Sequence, residues 1–147
     1  MNLGFYVHST GGNDLNADIF GLLNDAVENN EVSDASVFYN EVDYNPVEKK
    51  FGTFNSTELW SFSGTLLVTT LTNLAIASRV VNDIKIAYLF DKTAKDNNLI
   101  SLIQVSQSYP FIVRSEQEKE EIHRITGKMP HVIEKLNVEE ILEVFNE

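Results

Sequence analysis

The stretch Gly4-Phe5-Tyr6-Val7-His8-Ser9-Thr10-Gly11-Gly12-Asn13-Asp14-Leu15-Asn16-Ala17-Asp18-Ile19-Phe20 decides how this chain folds. Leu3, Phe5, Tyr6 and Val7 form a short apolar run, the pattern of a strand covered on both faces. Gly11-Gly12 predicts a sharp turn, because glycine takes positive φ without a Cβ clash. Asn13 or Asp14 then caps a helix whose apolar positions fall at Leu15, Ile19, Leu22, Leu23, Ala26 and Val27. Strand, glycine turn and helix form the opening unit of doubly wound α/β domains, whose ligands bind at such turns.

The same alternation continues along the chain. The first helix ends near Asn29-Asn30, where Asn takes a left-handed cap. Ala35 to Val42 reads as a strand. Asp43 to Phe54 has a turn signal at Asn45-Pro46 and no clear period. Ser56 to Trp60 predicts one helical turn, with Trp60 and Phe62 buried against the sheet. Gly64 to Thr69 is a compact apolar strand, and a threonine at Thr70 or Thr72 caps a helix carrying Leu71, Leu74, Ala75, Ser78 and Val81. Ile84 to Phe90 is the next strand, and Asp96 is the expected cap of a helix with Leu99, Leu102, Ile103 and Ser106 on one face. Pro110 to Val113 is a short strand with its proline where no ladder donor is needed. Ser115-Glu116-Gln117-Glu118 reads as a capping box, and that helix stops at Gly127. His131 to Ile133 is a last short strand, before a helix with Val138, Ile141, Leu142 and Phe145 inward.

Strands alternating with helices imply a parallel sheet with right-handed crossovers and helices on both faces. The expectation is an α/β, three-layer Rossmann-like domain with a mainly parallel sheet of about six strands. Residues 1–147 read as one such domain, without repeats, low-complexity tracts or linkers. A chain of this length buries roughly two-thirds of its extended surface.

The formal net charge is −11, and the basic residues do not cluster beyond Lys49-Lys50. Such a chain repels phosphate backbones, so no nucleic-acid partner is expected. Cysteine is absent, which excludes disulfides, thiolate nucleophiles and cysteine-ligated metals. No apolar run approaches ~18 residues and no leader pattern opens the chain. A cytoplasmic protein without a membrane partner is therefore expected.

In an open parallel sheet the ligand cleft lies beyond the carboxyl ends of the strands. Those ends carry His8, Ser9 and Thr10, then Asn40 and Glu41, Thr69 and Thr70, Asp91 and Lys92, and Arg114 and Ser115. The expected ligand-binding set is Ser9, Thr10, Gly11, Gly12, Asn13, Thr70, Asp91, Lys92 and Ser115. His8, an imidazole at the end of the first strand, and Asp91 are the catalytic candidates. The dinucleotide fingerprint G-x-G-x-x-G and the P-loop G-K-[ST] are both missing. Free amides at the first helix start could still hold an anion, although Asp14 and Asp18 compete for the positive end. His8, His123 and His131 lack metal-ligand spacing, so neither a metal nor a cofactor is expected.

The order of these pieces resembles the N-terminal, acceptor-side half of GT-B glycosyltransferases over most of the chain. The resemblance is carried by Tyr6-Val7-His8-Ser9-Thr10-Gly11-Gly12-Asn13, by Gly64 to Thr70, by Ile86 to Asp91 and by Phe111 to Glu116. It continues through Ile122 to Gly127 and Pro130 to Glu134. In that family a second Rossmann-like domain holds most of the nucleotide-sugar. The resemblance thus implies a glycosyltransferase-like domain with a sugar or nucleotide-sugar ligand, inactive alone. A partner protein or a homodimer would complete the cleft. The other reading is a non-catalytic Rossmann-like binding module for a small molecule or protein. A response regulator would carry an acidic pair after its first strand, where this chain has His8-Ser9-Thr10.

Overall fold

The computed structural model describes residues 1–146. One seven-stranded, all-parallel sheet runs in the order β3-β2-β1-β4-β5-β6-β7. Its strands are β1 (Asn2–Ser9), β2 (Asp34–Glu41), β3 (Gly52–Asn55), β4 (Gly64–Val68), β5 (Ile84–Leu89), β6 (Phe111–Val113) and β7 (His131–Val132). The helices are α1 (Asp14–Glu28), α2 (Leu71–Ala77), α3 (Leu99–Ser108), α4 (Glu116–Thr126) and α5 (Val138–Val144), with a 3-10 helix at Ser56–Ser61. This is a three-layer Rossmann-like α/β fold.

Alternation along β1 builds both cores. Leu3, Phe5 and Val7 face one layer, where they meet Ile19, Phe20 and Leu23 of α1 and Val138, Ile141 and Val144 of α5. Tyr6 faces the other, with Leu66, Val68 and Tyr88 of neighbouring strands, Leu74 of α2, Leu102 of α3 and Ile122 of α4. Each large side chain so buried is worth about 1.5–3 kcal/mol. The chain leaves β1 toward β2 through α1 on one face and leaves β4 toward β5 through α2 on the other. Right-handed crossovers in opposite directions require opposite faces, and the reversal falls between β1 and β4.

Local signals are realised at most boundaries. Asn13 caps α1, Thr70 caps α2, Ser115 caps α4, and Gly127 ends α4 at φ 76°. Asn30 is left-handed at φ 55° after α1. Several expectations are corrected. Gly11 and Gly12 do not take positive φ; among the described glycines only Gly64 and Gly127 do. The β1–α1 connection is instead held by the side chain of Asn16, which donates to the carbonyls of Ser9 and Gly11 at 2.8 and 2.7 Å. The aperiodic stretch before Ser56 supplies β3, an edge strand that pairs only with β2 and so has no buried alternation to betray it. Trp60 is 52% exposed, because Leu59 and Phe62 fill the space under the 3-10 helix. Asn98, not Asp96, caps α3, and Val81 lies exposed beyond the end of α2. The C-terminal stripe packs back on the chain itself: Leu142 and Phe145 lie against the α1-side core.

Candidate functional site

The reversal in strand order leaves a crevice of about 600 Å³ at the carboxyl ends of β1 and β4. His8, Ser9, Asn13 and Asn16 line it from the β1–α1 side, Asn40 from β2, and Thr69, Thr70, Thr72 and Ile76 from β4 and α2. The loop between β5 and α3 contributes Asp91, Thr93, Ala94, Lys95 and Asp96.

Of the residues expected from sequence, His8, Ser9, Asn13, Thr70 and Asp91 meet around this crevice. Thr10, Gly11, Gly12, Lys92 and Ser115 do not line it. Thr10 is buried, and its hydroxyl donates to the Asp43 carbonyl at 3.0 Å while accepting from the Asp43 amide at 2.9 Å. The Gly12 amide is bonded to the Tyr44 carbonyl at 3.2 Å. Ser115 follows β6, two strands away from β4, and its hydroxyl caps α4 by accepting from the Glu118 amide at 3.1 Å. Arg114 also turns elsewhere. Its guanidinium pairs with Asp18 at 2.8 Å and donates to the carbonyls of Ile133 and Glu134 at 3.1 and 3.0 Å.

At both helices that open on the crevice, the protein's own side chains accept from first-turn amides. At α1 the Asn13 side chain accepts from the Asn16 amide at 2.8 Å, and the Gly11 amide donates to the Ser9 hydroxyl at 3.1 Å. At α2 the Thr70 hydroxyl accepts from the Asn73 amide at 3.2 Å, and Asp96 accepts from the amide and hydroxyl of Thr72 at 2.8 and 2.7 Å. A carboxylate thus already occupies the positive end of α2. Burial opposes its ionisation, but the Thr72 hydroxyl and amide outweigh that, and the Asp96 carboxyl lies below its ordinary value.

Asp91 organises its own loop. One carboxylate oxygen accepts from the amide and hydroxyl of Thr93 at 2.9 and 2.6 Å, and its carbonyl accepts from Asn97 at 2.8 Å. Beneath the loop, burial first and the Asp96 and Asp91 carboxylates second push the Tyr88 phenol far up, so it stays protonated and donates to Asn97. The crevice wall therefore offers hydroxyls, amides and two carboxylates beside the apolar side chains of Val7, Leu15 and Ile76. Two features escaped the sequence reading: the Asn16 staple and the Thr72–Asp96 pair. The Asx-type turn beside them does have a local signal, the Asp91-x-Thr93 spacing.

Among the described residues no group of acids and histidines is arranged to hold a metal ion, and no helix is long and apolar enough to cross a membrane. The chain matches no protein-family model, no characterised protein and no solved structure with which it was compared.

Proposed function

We propose that this chain is a glycosyltransferase-like domain that binds a sugar or other polyhydroxyl ligand in the β1/β4 crevice and acts with a partner wall. The observation that carries the reading is the self-capping at both helix N-termini. Asn13, Thr70 and Asp96 already accept from first-turn amides there, so a phosphate would compete with the chain's own acceptors. A neutral ligand with donors and acceptors would meet the Ser9 hydroxyl and the Asp91 carboxylate, beside the bonds these already make to the Gly11 amide and to Thr93. This agrees with the acceptor side of the family the sequence resembles, where the donor phosphates belong to the opposite wall. His8 is the group at the mouth able to contact a reacting hydroxyl.

The experiment is an amide-resolved NMR titration of the full chain with neutral mono- and disaccharides, and separately with nucleotides and nucleotide-sugars. Saturable shifts at His8, Ser9 and Asp91 with a saccharide are expected. Saturable shifts at Gly11 to Asn13 with nucleoside diphosphates, and none with saccharides, would overturn the reading.

A second reading, a non-catalytic binding module, is favoured by the engagement of Asp91 with Thr93, which leaves that carboxylate ordering its loop. Under either reading the isolated chain turns over no nucleotide-sugar. Saccharide binding that persists unchanged in His8→Gln, with no transfer after any partner is supplied, selects the module.

A further inference from the structure

The residue pairs Val7 with Tyr39 and Ser9 with Glu41 place His8 level with Asn40 on the neighbouring strand. Asn40 is the junction of a polar relay that runs from the core to the crevice. Its Oδ1 accepts from the Tyr6 hydroxyl at 2.8 Å. Its Nδ2 donates to Asn73 Oδ1 at 2.6 Å and lies 3.4 Å from His8 Nδ1. Asn73 is wholly buried and Tyr6 is wholly buried, so neither partner trades its bond for water.

The direction of the relay follows from Tyr6. Burial raises its phenol more than a contact with the Ser56 side chain lowers it, and the protonated hydroxyl donates to Asn40 Oδ1. Asn40 Oδ1 is thereby the acceptor and Nδ2 the donor. Two protons on Nδ2 serve two acceptors, Asn73 Oδ1 and His8 Nδ1. Reversing both amides would give Asn73 Nδ2, buried without a partner in the present arrangement, an acceptor in Asn40 Oδ1, and would demand a proton on His8 Nδ1 instead, so the tautomer separates the two arrangements.

We propose that Asn40 is a positioning residue that holds neutral His8 in the tautomer protonated on Nε2. The Nε2 proton then points to the open side of the ring, where the nearest charge is Glu41 Oε1 at 3.7 Å. The imidazole side chain is 58% exposed and lines the crevice. Neutral His8 thus carries its donor on Nε2, beside the Glu41 carboxylate, and a ligand that reaches it must offer an acceptor in competition with that carboxylate. Its basic nitrogen faces Asn40, so proton abstraction by His8 first requires that contact to break. The inference does not depend on the class of ligand.

Long-range proton–nitrogen NMR spectra of the full 15N-labelled chain at pH 8, without ligand, read the tautomer directly. His8→Gln identifies the His8 signals among the three histidines. The expected result is an unprotonated Nδ1 and a protonated Nε2 in the wild-type chain. In Asn40→Asp a carboxylate replaces the donor, and the Nδ1 resonance is expected to move to the protonated position. Protonated Nδ1 in the wild type overturns the proposal. So does an unmoved Nδ1 signal in an Asn40→Asp chain that keeps its dispersed amide spectrum. The wild-type measurement alone decides the case if that variant does not fold. Failure of saccharide binding would leave these spectra unchanged, so the two readings fail separately.

Discussion

Asp96 and Thr72, which belong to successive β–α units, are joined by two hydrogen bonds, from the Thr72 amide at 2.8 Å and its hydroxyl at 2.7 Å. The loop after β5 thereby caps the helix after β4 through Asp96 as well as its own helix through Asn98. One wall of the crevice is tied to the next at the point where a ligand would enter.

Removing that tie should weaken the fold by the worth of a helix cap. Asp96→Ala is expected to lose about 1 kcal/mol in urea melts at neutral pH. Because the folded-state carboxyl is lowered, its contribution is full above the ordinary value of 3.8 and drains as pH falls through the lower folded value. The gap between wild type and Asp96→Ala should therefore close on acidification below that point. A gap constant from neutral pH down to the acid limit would refute the assignment.

Arg114 is expected to matter for stability rather than for binding. It fastens the end of β6 to α1 through Asp18 and to the chain after β7 through two carbonyls. Arg114→Met should cost about 2 kcal/mol, since charge-assisted bonds to partly buried carbonyls are lost. Asp18→Asn, which removes only a half-exposed ion pair, should cost less than about 1 kcal/mol. Equal losses in denaturant melts would show that the ion pair, not the carbonyl contacts, carries the anchor.

Two glycines with positive φ should respond very differently to alanine. At Gly64, φ is 137° and a Cβ would lie 2.5 Å from the Asn2 carbonyl oxygen, so Gly64→Ala must push β4 away from β1. At Gly127, φ is 76° and the space is open, so only backbone strain of about 1 kcal/mol is paid. Thermal melts should show Gly64→Ala as the worse of the two by a wide margin. Comparable melting temperatures would mean that β4 can shift at no cost.

The sequence by itself determined most of the elements and many of their ends, though not β3 or the cap of α3. Capping by Asn13, Thr70, Ser115 and Gly127, and apolar spacing in α1 and α5, are settled within a few residues, by amides needing acceptors and by side chains needing one buried face. Repetition of strand and helix then implied a parallel sheet. Only the tertiary structure decided which rim residues meet. Ser115 and Asp91 both follow apolar strands and look alike locally, yet Asp91 reaches the crevice and Ser115 stands two strands from β4. Trp60 faces solvent because Leu59 and Phe62 took the space beneath it, and β3 exists because β2 offered an edge. Asp96 left its own helix because Thr72, 24 residues earlier, stood within reach with two donors. Such choices depend on distances between segments far apart in the chain, and no local spacing encodes them.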